Sequence, residues 1–224
     1  MSGTLYIVAT PIGNLSDITL RALDVLRSVD TIVAEDTRVT AKLLQRYSIE
    51  KPLQSLRARS ARVYFENVAR MVQEGRTIAY VTDAGTPGIS DPGPILVSLV
   101  REYAGEGAVI AIPGPSAVIA AVSVSGMPTD QFVFLGFLPH KKGRQKALDA
   151  LVRERRLVVL YESPYRIKKL FHELAERVPD RRAVIAHELT KLFEKTRAGT
   201  VSELLERIGK DIPERGEFVV MLAP

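Results

Sequence analysis

The sequence predicts an α/β protein in two parts, with a mainly parallel sheet in the first half and a mixed sheet in the second. Three observations carry this. In the first half, short apolar runs alternate with stretches of helical spacing, and those runs are apolar on both faces, as parallel strands covered by helices on both sides require. In the second half the last two strand candidates have only a short helix between them, which argues a mixed sheet. The chain has 224 residues, 46% hydrophobic and 25% charged, which is enough for one large domain or two small ones. We expect domains at 1–114 and 115–224.

The elements follow in order. "TLYIVAT" (4–10) reads as a strand and "SDITLRALDVLRSV" (16–29) as a helix, with Ile18, Ala22, Val25, Leu26 and Val29 at helical spacing. Ser16 or Asp17 is the expected cap of that helix. "TIVAE" (31–35) and "RVTAKLLQRY" (38–47) repeat the unit. "PLQSL" (52–56), a helix at 60–75, "TIAYV" (77–81), "PILVSLVREYAG" (94–105) and "AVIAI" (108–112) continue it. "PGPSAVIAAVSVSGMP" (113–128) reads as a loop and a small-residue helix at the domain junction. Strands are then expected at 131–137, 156–161, 182–189, 194–201 and 217–223, and helices at 143–155, 164–177 and 201–210.

Composition excludes several classes. Cys 0 removes disulfides, thiolate metal sites and a cysteine nucleophile, and no metal is expected. "MSGTLYIVATPIG" has no basic n-region, and no window approaches the roughly 20 apolar residues of a membrane span. A soluble cytoplasmic protein without a membrane partner is the expectation. The net charge of +5 is mildly basic and acquires meaning only through its location.

"TDAGTPGISDPG" (82–93) is longer and richer in glycine and proline than a plain strand-to-helix turn needs. Ligands of open α/β sheets bind beyond the carboxyl ends of strands. "TPIGNLSD" (10–17), "EDTR" (35–38) and "PGPSA" (113–117) would join it at such an edge. Neither a GxxxxGK[ST] phosphate loop nor a GxGxxG fingerprint is present. Asp83 and Asp91 would repel a pyrophosphate, so a neutral or cationic ligand fits better. Asp91 is expected to cap the following helix, and Asp83 to meet the ligand.

These motifs, together with "VATPIGNLSDIT", "AEDTR", "FVFLGFLPHKKGR", "YESPYRI" and "ELTK", resemble the tetrapyrrole-methylase superfamily from residue 4 to about 222. Within it they are most similar to the branch that methylates small-subunit ribosomal RNA. Gly13 is followed by Asn14-Leu15 rather than by the second glycine and acid usual in biosynthetic tetrapyrrole methylases. "RARSA" (57–61), His187 and Phe193 depart from the RNA branch.

The resemblance implies the two-domain tetrapyrrole-methylase fold with S-adenosylmethionine held between its domains. It further implies a homodimer and 2′-O-methylation of a cytidine in the decoding centre of 16S rRNA. By motif position, Pro11, Asp83, Ala84, Gly85, Ile89, Ser116 and Ala117 line the cofactor pocket, and Leu189 and Thr190 close it. Lys141, Glu162 and Lys191 are the candidates for assisting proton removal from the 2′-hydroxyl. Arg57, Arg59, Lys141, Lys142 and Arg144 are the candidate contacts to RNA phosphate, on the small ribosomal subunit. With Trp 0 and aromatics at 6%, backbone charge and shape fit RNA recognition better than base stacking. Two rivals share the fold: a tetrapyrrole C-methylase and a non-catalytic RNA-binding assembly factor.

Overall fold

A computed structural model describes residues 2–57 and 60–224, so Arg59 lies outside the described residues. The chain divides into two compact units, Met1–Ser116 and Ala117–Pro224.

In unit one the order is β1 (Thr4–Val8), a 3-10 turn (Leu15–Asp17), α1 (Leu20–Ser28), β2 (Thr31–Ala34) and α2 (Thr37–Arg46). Then come β3 (Leu53–Ser55), α3 (Arg62–Gln73), β4 (Thr77–Val81), α4 (Gly93–Ala104) and β5 (Val109–Ile112). The sheet order is β3-β2-β4-β1-β5 and every pair is parallel. Alternate residues serve opposite faces. Ile32, Ala34, Ala79 and Val81 pack under Leu23, Leu26, Leu43 and Leu44 of α1 and α2. Val33, Ile78 and Tyr80 pack under Phe65, Val72, Leu96 and Val100 of α3 and α4. That double burial is why these strands read as unbroken apolar runs.

The helix expected from residue 16 starts later. Asn14 caps the 3-10 turn by accepting the Ser16 N–H, and Ile18 is extended. Thr19, rather than Ser16 or Asp17, then caps α1, its hydroxyl accepting the Ala22 N–H at 3.1 Å.

Unit two runs α5 (Ala117–Ser123), β6 (Phe132–Phe137), α6 (Arg144–Arg153), β7 (Leu157–Glu162) and α7 (Ile167–Ala175). It closes with β8 (Arg182–His187), β9 (Lys195–Thr200), α8 (Val201–Arg207) and β10 (Phe218–Leu222). The sheet order is β6-β7-β10-β8-β9, parallel between β6 and β7 and antiparallel elsewhere, so it is mixed. Leu148, Leu151, Phe171, Leu174 and Leu204 from α6, α7 and α8 cover Val158, Leu160, Ile185 and Val220. No helix among the described residues is long and apolar enough to cross a membrane.

Candidate functional site

Because every pair in the unit-one sheet is parallel, the loops after β1, β2, β4 and β5 leave one edge, and hydrogen bonds tie them together. Thr10 and Gly85 exchange backbone bonds, each 3.0 Å. Thr10 Oγ1 donates to the Thr82 carbonyl at 3.2 Å, and Thr86 Oγ1 to the Pro115 carbonyl at 2.9 Å. Asp83 Oδ1 accepts the Asp36 N–H at 2.9 Å, which brings in the β2 loop. Gly85 has φ +84°, and a Cβ there would lie 3.3 Å from Ile12 Cγ2. Only glycine takes that conformation without strain.

The acids of this edge do different work. Asp91 Oδ2 accepts the N–H groups of Gly88 (2.7 Å) and Ile89 (2.9 Å), and Oδ1 accepts that of Gly93 (2.7 Å). It therefore holds its own loop together, while the N-cap of α4 is Pro92 and not the expected Asp91, which stands one residue earlier and accepts the N–H of the helix's first residue. Asp83 is exposed, and its Oδ2 has no hydrogen bond among the described residues. Burial, reinforced by the charges of Asp83 and Asp91, raises the Glu35 pKa. Tyr80 is fully buried with its hydroxyl unpartnered among the described residues. Its pKa is pushed up by burial and then by Asp91, Glu35 and Asp83. Hydrogen bonds from Arg38 hold Asp36 well below the carboxylate range. This edge carries a negative field over glycine-opened backbone, which suits a cation.

Of the residues expected to meet the cofactor, Pro11 and Gly85 are buried here, Asp83, Ala84 and Ile89 are exposed, and Ser116 is half-buried at the end of the β5 loop. Ala117, Leu189 and Thr190 belong to unit two. Ala117 opens α5. Leu189 and Thr190 follow β8 in a turn where Glu188 (φ 51°) and Thr190 (φ 66°) are left-handed. Thr190 Oγ1 is buried without a partner among the described residues, and its N–H donates to Glu194 Oε2 at 2.7 Å.

The second cluster, in unit two, corrects three expectations. Glu162, a candidate base, ends β7 with its side chain 0% exposed and ion-paired to Arg166 Nη2 at 2.7 Å. A carboxylate committed to this pair and closed off from solvent is a poor match for a base that must meet a substrate hydroxyl. Burial raises its pKa, against the pull of the Ser163 N–H, Arg166 and Arg144. Arg144, expected on RNA phosphate, is 4% exposed and spends its guanidinium on Glu173 (2.6 Å) and the Pro139 carbonyl (3.1 Å). A guanidinium buried in this way is out of reach of RNA phosphate. Burial pulls the Lys191 ammonium down, but its bonds to Glu188 and Glu217, both 2.9 Å, outweigh this and raise its pKa. It therefore stays protonated and is a poor base.

Lys141 and Lys142 remain exposed, as does Arg57. Sequence reasoning missed Arg166 and Glu173 as internal groups, because a charge run does not reveal which members fold inward. His187 is a core histidine. Its Nε2 lies 2.7 Å from the Arg215 carbonyl, and its ring stacks on Phe218 at 4.7 Å. Phe193 is exposed.

A doubly covered parallel sheet with a tied, acidic loop edge, followed by a mixed-sheet unit, defines a two-unit α/β protein with a ligand-sized set of loops at one sheet edge. The tetrapyrrole (corrin/porphyrin) methylase family matches residues 4–205, and the chain belongs to that family. Its curated relatives narrow this to one branch. The ribosomal RNA small subunit methyltransferase I of Thermotoga maritima is 46% identical over 99% of this chain and 98% of its own length. The protein of the same name from Escherichia coli O157:H7 is 46% identical over 98% of this chain and 77% of its own. That from Bacillus subtilis is 41% identical over 98% and 75%.

Solved structures of the methyltransferase CobJ (TM-score 0.71, 19% identity, 99% of this chain and 94% of that one) share the fold. So does uroporphyrin-III C-methyl transferase of Thermus thermophilus complexed with S-adenyl homocysteine (TM-score 0.66, 16% identity, 99% and 97%).

Proposed function

We propose that this chain, an rRNA methyltransferase by family, transfers the methyl group of S-adenosylmethionine to a cytidine ribose 2′-hydroxyl in the decoding centre of 16S rRNA. The observation that carries the cofactor reading is the unit-one edge. A free Asp83 oxygen and the Asp91 loop set a negative field beside the backbone opened at Gly85, and that field adds to burial in raising the Glu35 pKa. These residues fit a sulfonium cation that carries no phosphate. A fold relative solved with S-adenyl homocysteine adds support.

When bound, S-adenosylmethionine supplies an electrophilic methyl on sulfur. The chain's own task is to orient the acceptor oxygen in line with it, and orientation supplies much of the rate. Asp83, Ala84 and Gly85, with Pro11, Ile89 and Ser116, hold the cofactor in unit one. With Glu162 and Lys191 committed to ion pairs, Lys141 is the remaining candidate near the acceptor. Lys141, Lys142 and Arg57 hold RNA phosphate. Assembly as a homodimer, for which α5 and the turn after it offer exposed Ile119 and Val124, and work in the cytoplasm on the small subunit complete the reading.

The test is transfer of labelled methyl from S-adenosylmethionine, offered small ribosomal subunits and a uroporphyrinoid side by side. Label is expected in 16S rRNA, resistant to alkaline cleavage at one cytidine. Label in the porphyrinoid alone would refute the reading.

A further inference from the structure

The turn between β6 and α6 exposes Pro139–Gly143 between two buried anchors, Leu138 and Arg144. Both ends of that turn run into one buried ion cluster. Arg166 Nη1 donates to the Leu138 carbonyl at 3.0 Å, and Arg144 Nη1 to the Pro139 carbonyl at 3.1 Å. Glu162 sits between the two arginines, its Oε1 2.7 Å from Arg166 Nη2 and its Oε2 3.9 Å from Arg144 Nη2. Glu173 completes the cluster on the far side of Arg144.

We propose that Glu162 is a positioning residue for the rRNA substrate, acting through Arg144 and Arg166 to fix the turn that presents Lys141 and Lys142. Three facts favour this over a purely internal role. Glu162 lies at the carboxyl end of its strand, where it reaches the turn rather than the middle of the core. Its Oε1 accepts the Ser163 N–H at 2.8 Å and meets Arg166, but its Oε2 has no hydrogen bond among the described residues, so the cluster leaves half of the carboxylate unsatisfied while both arginines reach the turn. Both arginines use a fork arm on main-chain carbonyls of the turn, where a point charge could not grip. Lysines on an unfixed turn would lose side-chain and backbone freedom on meeting phosphate, and prior ordering removes the backbone share of that loss.

The proposal rests on reading the 139–143 turn as an RNA contact, and a double-mutant cycle keeps the two apart. Subunit affinity, cofactor affinity, KM and kcat are measured for Glu162→Gln, for Lys141→Ala/Lys142→Ala, and for the three changes combined. Glu162→Gln is expected to weaken subunit binding and raise the RNA KM about fivefold, within the coupling range of contacting networks. Cofactor affinity should stay unchanged. In the lysine-free background the same change should have no further effect on subunit binding.

An equal loss in both backgrounds would overturn the positioning role while leaving the RNA contact standing. Normal subunit binding by the double lysine variant would overturn both. If Glu162→Gln does not fold, Arg166→Lys keeps the charge but gives up the fork and enters the same cycle, with the same outcomes deciding.

Discussion

The acidic edge of unit one and the basic turn of unit two both use carboxylates, in opposite ways. At the edge, Asp83 is exposed and one of its oxygens stays free among the described residues, so charge is turned outward. At the turn, Glu162 and Glu173 are drawn inward onto Arg144 and Arg166, and only lysines are left outside. The sign of a surface is thus set by which partner of each ion pair is buried. A tally of charged residues in a segment cannot reveal it.

The sharpest way to break this contrast is to remove the buried partner. Arg144→Ala would leave Glu162 and Glu173 short of a counter-charge, and losses of about 3–5 kcal/mol follow from breaking buried pairs. Denaturant unfolding should show a fall on that scale. A change under about 1 kcal/mol would mean the pair behaves as a surface one.

Next comes Gly85→Val. A side chain forced to φ +84° against Ile12 costs about 1–3 kcal/mol in backbone strain alone and blocks the close approach of the loops. Calorimetry with S-adenosylmethionine should give no detectable binding. Asp83→Ala, which also strands the Asp36 N–H, should weaken that binding by about 1–3 kcal/mol with little loss of folding stability. Full cofactor affinity in both variants would remove the ligand from this edge.

On the basic side, Lys141→Ala/Lys142→Ala should flatten the log–log salt dependence of RNA binding by about 1.4, or about 0.7 per phosphate on single strands. An unchanged slope would mean these lysines meet no phosphate.

The smallest effect sharpens the comparison through pH. The folded pKa of Glu35 is raised, so its protonated form favours the fold. The resulting stability is present below the unfolded pKa and lost as pH rises through the folded one. Glu35→Gln should therefore match or slightly exceed the wild type in melting temperature near neutral pH, with the advantage vanishing at acid pH. Its affinity for the cationic cofactor should fall about threefold, since a half-buried charge is partly screened. Wild-type affinity should itself weaken as acid protonates Glu35, a trend the variant would lack.

Much of the fold was legible because burial on both faces leaves a plain mark. "TIAYV" gives β4 at its full length, Thr77–Val81, since Ile78, Ala79, Tyr80 and Val81 alternate between the two helix-covered faces. The start of α1 was not legible, because Ser16, Asp17 and Thr19 are all good caps. Thr19 takes that role because Asn14 first closes a 3-10 turn over Ser16 and Asp17. The acidic corner could be read from glycines and aspartates at a strand end, but not the bond from Asp36 to Asp83, which spans 47 residues. Arg144 was misread for the same reason. Its partner Glu173 is 29 residues away, and a run of cations gives no sign of a carboxylate waiting below it.

The strand order of unit one also bears on how the protein is made. β1 does not touch β2; its neighbours are β4 and β5, with Thr4 beside Thr77 and Leu5 beside Val109. As the chain leaves the ribosome, β1 and the β2–β3 pair have no common partner until residues 77–81 emerge and insert between them. Closing that gap over more than 70 residues is slow compared with helix formation. Until then two apolar strand edges stand open to other chains. The Thr10–Gly85 bridge forms only after that insertion, so the acidic corner is among the last parts of unit one to exist. A nascent chain halted before β4 should be retained by holdase chaperones, and one released after β5 should escape them.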